Sequence, residues 1–570
     1  MEVSNVVIER IFQNRNIGQE SIEEMLSWDL NDLPDMFSLN DLDKAAQRIV
    51  DAIDGKEKIG IYGDYDVDGT TSCAFFYHFF KTLDIKVEMM QPNRLREGYG
   101  LHCSSIDEAA SRGIDILITV DCGITNVEAA SYAREKGIDL VVTDHHRDVA
   151  EEMPRAFAVI NPNRRDEPED SPLRSLAGVG VAFVLGWRIR LLLLSQKRKC
   201  PSLYPLLPFV AVGTVCDMVP LSSMNLKLVR HGLKELAEYK YPGLSVFFNK
   251  EERLRGIIPG EKLSFKIGPL INAKGRLDHP ERALRLLISE DGQDAYEHFS
   301  HLEVCNNQRK SIQAQVFKEA KEQVLQEESE PRIACLPFAP HWHEGVVGIV
   351  AAKLVEEFGI PAVVFTEGAK QKGMLKASAR TAGEMDLFCE LEKCSHLFSK
   401  FGGHKAAAGF SMPKENLSEF RGLFIKNLAL LSADMRTASL KWDCEIFHRE
   451  ITPDLARSLE YLGPFGVGNP RPVFFMRKMK LNAYDILKDV HVRWNFANPQ
   501  YPELSLRGIS FNYLGQWGKT SPREIHSVCR QGKFLEAVFT LEINRFNGNE
   551  YIQLNIIRVD EEGTLSPILQ

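Results

Sequence analysis

At 570 residues the chain is longer than one hydrophobic core serves, so we expect several domains. Its 44% hydrophobic and 26% charged residues are typical of a folded globular protein. The net charge of −9 argues against a uniformly basic surface, but 69 lysines and arginines are enough to line one nucleic-acid-binding groove.

Membrane anchoring and secretion are not indicated. No apolar run approaches the roughly 20 residues that cross a bilayer. The longest, Leu191–Leu194, lies between basic residues and predicts a buried or amphipathic helix. Residues 1–14 lack the apolar segment of a secretory signal. The 11 cysteines form no Cys-x-x-Cys pair, so we expect reduced thiols in a cytoplasmic protein.

The predicted elements divide the chain into five stretches. We expect an N-terminal helical segment, an α/β domain, a helical connector, a second α/β domain and an all-β domain, in that order at residues 1–50, 51–235, 236–330, 331–435 and 436–570. The first α/β domain alternates short apolar runs with helical segments, which predicts βαβ units and a parallel sheet. Its clearest strands are Ile59–Tyr62, Ile116–Val120 and Leu140–Thr143.

The later stretches have their own patterns. The connector is charged and periodic at helical spacing, which predicts a long helix. The second α/β domain has its clearest strand at Pro361–Phe365. In the last stretch, two β-rich arms flank Asn547-Gly548, a two-residue hairpin signature. The second arm alternates, with Ile552, Leu554 and Ile556 on one face, so we expect a small barrel or sandwich.

Acidic residues and histidines follow four apolar runs. Ligands of an open parallel sheet bind beyond the carboxyl ends of its strands, so these side chains are expected to meet at one edge. The last of these runs is Phe209–Val215, which we group with the three strands. The polar residues that follow the four runs are Asp64, Asp66, Asp68, Asp121, Asp144, His145, His146 and Asp217.

So many negative charges in one cleft repel each other unless cations compensate them. Carboxylate oxygens with one or two imidazoles suit Mn²⁺ or Mg²⁺, and the absence of thiolates disfavours structural zinc. Two such cations, about 3.5–4 Å apart and bridged by a carboxylate, would activate water and stabilise the leaving oxygen of a phosphodiester.

Each residue alone has a simpler interpretation. Asp68 could cap the next helix, and Asp64, Asp66 and Asp121 could form turns. A single histidine such as His145 is more often a core or surface residue than a ligand. Four apolar runs are each followed by acidic residues at the same sheet edge, and this coincidence favours a metal site.

The segments Gly63–Gly69, Asp121–Gly123, Asp144–His146 and Gly213–Leu221 resemble the DHH phosphoesterases. The resemblance implies two divalent cations, Mn²⁺ or Mg²⁺, with Asp121 as the bridging ligand. It also implies that His146 contacts the scissile phosphate or assists the leaving group. Some relatives have a histidine where this chain has Tyr62, and Asp64 is then a candidate replacement ligand. The implied metal ligands are Asp64, Asp66, Asp68, Asp121, His145 and Asp217.

The second α/β domain resembles the DHHA1 domain that accompanies the DHH domain. The resemblance rests on His341–Ala351, Ser378–Arg380 and Phe401–Gly409. The glycines of a Gly-Gly-His loop let backbone amides approach a phosphate, and a serine and an arginine two apart on a strand point the same way. A tight turn and a surface arginine are the alternatives. The implied residues for a terminal phosphate are Ser378, Arg380, Gly402, Gly403 and His404.

Further segments resemble the single-strand-specific exonucleases of this superfamily. Pro92–Leu101 is similar to the family's substrate-facing segment, and Gly268–Leu277 is similar to another of its signatures, which implies that Arg94, Asn272 and Arg276 contact DNA. The second segment departs from the family pattern at Leu270 and Lys274. Leu462–Pro470 is similar to the family's junction into an OB-type barrel, a module that binds single strands.

The expected fold is therefore α/β: a parallel-sheet DHH domain joined by a long helix to a DHHA1 domain, followed by an OB-like barrel. The expected protein is a monomeric, cytoplasmic bacterial exonuclease that degrades single-stranded DNA from the 5′ end to mononucleotides. Recombination and repair follow from the resemblance, with a single-strand-binding protein and a RecQ-type helicase as candidate partners. Two alternatives stay open: a phosphoesterase for nanoRNA, cyclic dinucleotides or pyrophosphate, and a catalytically silent replication scaffold.

Overall fold

The structure is a computed structural model that describes residues 6–92, 100–150, 152–255, 258–275, 281–327, 332–368, 372–497, 505–516, 519–546, 549–565 and 568–569. The chain forms two compact units. Unit A comprises residues 19–307 and 462–471, and unit B comprises residues 1–18, 308–461 and 472–570. Neither unit is continuous in sequence, because the chain passes between them four times.

The helices and strands have the following bounds. The helices are α1 (Val6–Asn14), α2 (Gln19–Leu26), α3 (Leu42–Gly55), α4 (Val67–Lys81), α5 (Cys103–Ser111), α6 (Val127–Glu135), α7 (Gly178–Ser195), α8 (Leu207–Cys216), α9 (Ser223–Leu236), α10 (Pro242–Ser245), α11 (Lys250–Arg255), α12 (Gly268–Gly275), α13 (Glu281–Ile288), α14 (Gly292–Gln326), α15 (Val347–Phe358), α16 (Leu387–Glu392), α17 (Leu417–Ala429), α18 (Ala433–Arg436), α19 (Pro453–Leu462) and α20 (Pro522–Arg530). The strands are β1 (Ile59–Gly63), β2 (Val87–Met90), β3 (Ile116–Val120), β4 (Asp139–Thr143), β5 (Ala158–Ile160), β6 (Ala362–Glu367), β7 (Met374–Arg380), β8 (Lys400–His404), β9 (Ala407–Pro413), β10 (Lys441–Trp442), β11 (Cys444–Glu445), β12 (Val473–Leu487), β13 (His491–Ala497), β14 (Ser505–Ser510), β15 (Leu535–Phe546), β16 (Asn549–Glu561) and β17 (Ile568–Leu569).

Unit A is built on a parallel sheet with strand order β2-β1-β3-β4-β5. Its central strands β1 and β3 are buried throughout, because helices cover both faces of the sheet. The order reverses between β1 and β3, and such a switch point opens a crevice at the carboxyl ends of the strands. The predicted parallel sheet is confirmed, and the acids that follow β1 and β3 flank this crevice.

One predicted run has a different structure. The apolar run before Asp217 is not a strand: Leu207–Cys216 forms α8, so Asp217 follows a helix. A short, uniformly apolar run does not separate a buried strand from a buried helix by periodicity. Pro208 lies in the first turn, where a helix tolerates proline, and Gly213 lets α8 approach α4 closely.

Helix α7, which contains Leu191–Leu194, is the one described helix that is long and apolar enough to cross a membrane. However, 61% of this stretch is buried inside the protein, where Phe183 and Leu185 join the core against α3 and α4. It is therefore a core helix, as the sequence predicted.

The segment 462–471 belongs to unit A although its neighbours in sequence belong to unit B. The backbone amide of Leu221 donates to the Val467 carbonyl at 2.7 Å. The buried Arg230 donates to the carbonyl of Gly463 at 2.9 Å and to that of Leu462 at 3.3 Å. Asn469 is also buried and ties the segment to itself through Leu462. This segment therefore lies beside the residues that follow Asp217.

Unit A contains a buried histidine that links its stability to pH. His78 bonds the Leu287 carbonyl at 3.0 Å and stacks on Phe209, and burial lowers the pKa of His78 from 6.5 to about 4. Above pH 6.5 the imidazole is neutral in both states. Between pH 6.5 and about 4 the unfolded chain takes up a proton that the folded protein refuses, which costs about 3 kcal/mol of stability at the acid end.

We therefore expect the thermal midpoint of the wild type to fall faster than that of His78→Gln as the pH is lowered from 7 to 4. The glutamine can keep a donor toward Leu287 but does not titrate. Parallel midpoint curves for the two proteins across this pH range would contradict the expectation.

Unit B contains a four-stranded antiparallel sheet, order β6-β7-β9-β8, and a barrel. Helices α16 and α17 cover one face of the four-stranded sheet, and α15 covers part of the other. In the barrel, order β11-β12-β13-β14-β16-β15, the long strand β12 also pairs with β15 and closes the sheet. The predicted second α/β domain, barrel and long helix (α14) are confirmed, while the Asn547-Gly548 turn lies outside the described residues.

Helix α1 packs on this barrel, and the contact gives the N-terminal segment a structural role. Arg15 forms an ion pair with the buried Asp443 at 2.6 Å, and Asn14 donates to the Asp443 carbonyl. Arg10 pairs with Glu450 at 2.7 Å. The first helix is therefore a component of unit B.

Candidate metal centre

Three aspartates follow β1. Asp64 is buried at the end of the strand, and Asp66 caps α4 by accepting from the Gly69 amide at 3.1 Å. A side chain at position 69 would meet the Asp64 carbonyl at 2.5 Å, which explains the glycine. The helix cap that we considered for Asp68 is therefore made by Asp66.

Asp68 instead lies in the first turn of α4 and is buried. It accepts hydrogen bonds from the amides of Gly178 at 2.6 Å and Val179 at 2.9 Å. These amides are at the N-terminus of α7, where the helix dipole favours a negative charge. The dipole stabilises the Asp68 carboxylate and directs it toward the sheet edge.

Asp121 follows β3 in a left-handed conformation, with φ of 60°. Aspartate tolerates this region better than most residues, but the conformation still costs free energy and is common at functional sites. The side chain is 1% exposed, and Gly178 leaves room for it, because a Cβ there would meet the Asp121 Cβ at 2.7 Å.

The carboxylates converge on one imidazole. His145 Nε2 lies 3.2 Å from Asp121 Oδ1, 3.5 Å from Asp217 Oδ2 and 3.7 Å from Asp68 Oδ2. Three sets of side chains have donor atoms within 4.8 Å of one another, and Asp121 and His145 each belong to two of them. The sets are Asp121, His145 and His146; Asp68, His145 and Asp217; and Asp64, Asp66 and Asp121.

The protonation of these groups fits a divalent cation. Burial and the neighbouring carboxylates raise the pKa of Asp68 and of Asp121 well above its usual value, and they raise the pKa of Asp217 to about 7. Burial, with His146 nearby, lowers the pKa of His145 to about 4, so its ring is neutral at pH 7. Burial is the largest cause of these raised pKa values, and the repulsion between the carboxylates that adds to it is the part that a bound cation would remove.

The placement of the His145 ring also fits a ligand. Among the described residues its Nε2 has no hydrogen-bond partner, and it faces three carboxylates. A neutral ring can therefore offer the Nε2 lone pair to a cation held by those carboxylates. An oxygen-rich set with one neutral imidazole suits Mn²⁺ or Mg²⁺.

His146 is held differently. Its Nδ1 bonds Asp144 Oδ1 at 2.8 Å, and the same oxygen accepts from the amides of His145 and His146. Burial lowers the pKa of His146, but the hydrogen bond and charge of Asp144 outweigh it and raise this pKa to about 9. A cationic imidazole beside the carboxylates is suited to contacting a phosphate.

The sequence interpretation gave no role to two asparagines that hold this pair. Asn163 Nδ2 donates to the His145 carbonyl at 2.6 Å, and Asn161 Nδ2 donates to the His146 carbonyl at 2.9 Å. Both follow β5 at the same edge of the sheet, a position that could have indicated them.

Asp144→Asn should lower kcat by about 10–100-fold, because partners of ligand-bearing side chains contribute effects of this size. The amide keeps the shape but not the charge that holds the His146 imidazolium. The measurement is metal-dependent phosphodiester hydrolysis, with Asp170→Asn at an exposed position as the control. Unchanged turnover in Asp144→Asn would contradict this positioning role.

Tyr62 does not replace the histidine of some relatives. Its hydroxyl donates to the Gly100 carbonyl at 3.0 Å and accepts from Ser105 Oγ at 3.2 Å, within the apolar cluster under α5 and α6. Asp64, in contrast, belongs to one of the three donor sets.

A second polar surface lies on the sheet of unit B. Register places Ser378, Gly409 and Gly402 side by side, and Arg380, Ala407 and His404 on the next row of the same face. A Cβ at Gly402 would meet nothing within 4 Å. Gly402 and Gly403 lie on the edge strand β8 rather than in the loop we expected, because residues 400–404 pair along β9.

Arg380 is half-buried on this surface. It donates to Ser378 Oγ and to the Ala379 carbonyl, and the described residues offer it no carboxylate within 4.0 Å. Gly348, in the first turn of α15, is the neighbouring residue: a Cβ there would lie 2.8 Å from Ser378 Oγ. A cation, a hydroxyl and a helix N-terminus thus surround a floor without side chains, an arrangement suited to an anion.

Three further residues were expected to contact DNA. Asn272 is half-buried on α12, which packs against α4. Arg94 and Arg276 lie outside the described residues. Gly403 has φ of 154° and a Cβ there would meet Ala408 Cα at 2.5 Å, so the backbone requires glycine at this position.

The comparisons with known proteins cover almost the whole chain. Family models match the DHH family N-terminal domain at residues 58–214, the DHHA1 domain at 331–429 and the RecJ OB domain at 442–558. The single-stranded-DNA-specific exonuclease RecJ of Dickeya dadantii is 32% identical over 96% of this chain and 95% of the relative. The protein of the same description from Escherichia coli is 31% identical with the same coverage.

Two solved structures extend the likeness. RecJ from Thermus thermophilus in complex with Mn²⁺ matches with a TM-score of 0.76 at 24% identity, over 98% of this chain and 78% of that one. An exonuclease RecJ bound to manganese matches with a TM-score of 0.58 at 28% identity, over 70% of this chain and 98% of that one. The sheet, the acidic cluster and the three domains define a DHH/DHHA1 phosphoesterase. At 31–32% identity over 95% of the length of the Dickeya dadantii and Escherichia coli proteins, the chain belongs to the RecJ family.

Proposed function

We propose that this protein is a divalent-metal-dependent exonuclease that hydrolyses single-stranded DNA from the 5′ end to mononucleotides. The observation that carries the proposal is the donor cluster at the switch point of the sheet, in which three carboxylates face the imidazole of His145 and two more join them through Asp121. A full-length relation to single-stranded-DNA-specific exonucleases supports the substrate.

The proposed metal ligands are Asp64, Asp66, Asp68, Asp121, His145 and Asp217. Two cations, Mn²⁺ or Mg²⁺, would supply Lewis-acid activation of the phosphodiester and of the attacking water. Asp121 belongs to two donor sets and is therefore the residue that would serve both cations. The imidazolium of His146, held by Asp144, can bond a phosphate oxygen and stabilise the charge that develops on it or on the leaving oxygen.

The 5′-to-3′ direction of degradation is proposed to depend on the polar surface around Ser378 and Arg380, on the four-stranded sheet of unit B. Ser378 and Arg380 would hold the 5′-terminal phosphate through charge-assisted hydrogen bonds, with Gly402 and His404 on the neighbouring strand. Asn272, Arg94 and Arg276 are proposed to contact the strand on the grounds of resemblance. The barrel is proposed to bind single-stranded DNA.

Digestion of end-labelled oligonucleotides tests this function. Wild type with added Mn²⁺ or Mg²⁺ should release mononucleotides from a single strand with a 5′-phosphate, and should spare a blocked 5′-end and a matched duplex. Cleavage of dinucleotides alone would favour the short-substrate phosphoesterase instead. Strand binding without hydrolysis at any metal concentration would favour a scaffold.

The cellular setting follows from the same proposal. All 11 cysteines are free in the structure, which suits the reducing cytoplasm. A role in recombination and repair goes with the RecJ family, and a single-strand-binding protein and a RecQ-type helicase are the proposed protein partners. We expect a monomer.

A further inference from the structure

Three exposed apolar side chains lie on the segments that border the metal centre. Met218 is 68% exposed directly after Asp217, Phe265 is 81% exposed, and Val467 is 43% exposed. We call these three residues the apolar rim. Single exposed apolar residues are ordinary, but several on adjoining segments beside a reactive centre are typical of a binding surface.

Direct contacts join the three segments in unit A. Cys216, the neighbour of Asp217, donates from Sγ to the Leu263 carbonyl at 3.3 Å. A Cβ at Gly268 would lie 2.9 Å from the same sulfur, so both ends of the segment 263–268 pack on Cys216. The Leu221 amide bonds the Val467 carbonyl at 2.7 Å. The segments that carry the rim are therefore bonded to residues that lie within a few positions of Asp217, one of the clustered carboxylates.

The exposure of Phe265 has a local cause. Leu263–Ile267 is a π-helix, a conformation that is rare and is frequent at functional sites. Leu263 and Ile267 are buried and anchor the turn, while Lys266 forms an ion pair with Glu252 at 3.0 Å. These anchors leave the Phe265 ring in solvent, although burial of a phenylalanine side chain is favourable.

The position of the rim indicates its ligand. A phosphodiester held at the carboxylate cluster carries a nucleobase on each side, and every nucleobase has an apolar face. Aromatic side chains bind such faces without reading their sequence. A flat apolar side chain with no hydrogen-bonding group suits an enzyme that must accept all four bases.

We propose that the apolar rim, with Phe265 as its aromatic member, binds the nucleobases that flank the scissile phosphodiester and positions the strand for hydrolysis. The inference rests on the proposed exonuclease function and adds to it a base-binding site on the catalytic unit itself. Phe265 is a positioning residue, because it holds the base while other groups act on the phosphate.

A comparison of normal and abasic strands tests the rim. The substrates are a 5′-phosphorylated oligothymidylate and the same strand with tetrahydrofuran in place of its first four bases. Phe265→Ala should raise KM for the normal strand about tenfold, the loss expected for one stacked base, with little change in kcat. On the abasic strand, wild type and Phe265→Ala should have the same KM, because there is no base to lose.

Two further variants sharpen the result. Phe265→Trp should keep the wild-type KM, because indole also stacks on bases, and Tyr296→Ala removes a similarly exposed aromatic (64%) from α14 as the matched control. The proposal for the apolar rim is overturned if Phe265→Ala leaves KM unchanged, or if it raises KM equally on the normal and the abasic strand. If wild type releases no nucleotide from any strand, the exonuclease function itself fails.

Discussion

Asp121→Asn should abolish the metal-dependent release of nucleotides, with kcat/KM at least about 10³-fold below wild type. Asp121 belongs to two of the three donor sets, so its loss weakens both cation sites together. The measurement is single-turnover digestion of a 5′-phosphorylated strand over a range of Mn²⁺ concentrations. Residual activity above a tenth of the wild-type value would show that Asp121 is not a ligand in the metal centre.

The same substitution should raise the thermal midpoint of the metal-free protein. Burial and the charges of Asp68, Asp66, Asp217 and Asp64 oppose ionisation of Asp121, so a neutral amide relieves repulsion. Added Mn²⁺ should then stabilise wild type more than Asp121→Asn. Asp170→Asn, at an exposed site, is the control for a charge removed elsewhere in unit A. A lower midpoint in the metal-free variant would show that Asp121 is structural.

The second large effect is expected at Arg380. Arg380→Gln should lower kcat/KM on a 5′-phosphorylated strand by about 10–100-fold, the value of one or two charge-assisted hydrogen bonds. A strand with a 5′-hydroxyl should be cleaved as by wild type, so the preference between the two ends should disappear. The measurement is competition between the two strands at low substrate concentration.

Arg421→Gln is the matched control for that substitution. Arg421 is also a half-buried arginine of unit B, and it donates to the Leu336 carbonyl at 2.6 Å in place of an anion. It should leave the preference for the 5′-phosphate unchanged. An equal loss on both strands in Arg380→Gln would mean that the guanidinium supports the sheet and does not bind the terminal phosphate.

Much of the metal centre could be predicted because buried parallel strands are read from local sequence. Ile59–Gly63 and Ile116–Val120 are continuous apolar runs, and each ends in an acid at the edge where ligands bind. The convergence of Asp64 and Asp121 follows from these two facts. The strand order places the switch point between β1 and β3. This order depends on pairing between distant strands, which cannot be read from local sequence.

The errors have similar causes. Leu207–Cys216 is apolar on every side, so helix and strand give the same pattern before Asp217. Glycines 402 and 403 suggested a loop, but pairing with β9 overrides their low strand propensity. The exposure of Phe265 could not be predicted, because phenylalanine beside Leu263 and Ile267 is ordinarily read as core.

The segment 462–471 bears on how this molecule can be divided. Removing everything after α18 would take away the barrel and also two of the backbone carbonyls that accept from the guanidinium of Arg230, and would leave those of Met25 and Ser27. Leaving a buried arginine short of acceptors costs about 1–3 kcal/mol or more, so the shortened protein would have a weakened hydrolytic unit. Loss of activity on such truncation is therefore not evidence that the barrel binds DNA. A truncation in an exposed loop of the barrel that retains residues 462–471 separates loss of the barrel from loss of this segment. A homologue that lacks the barrel would have to keep residues equivalent to 462–471.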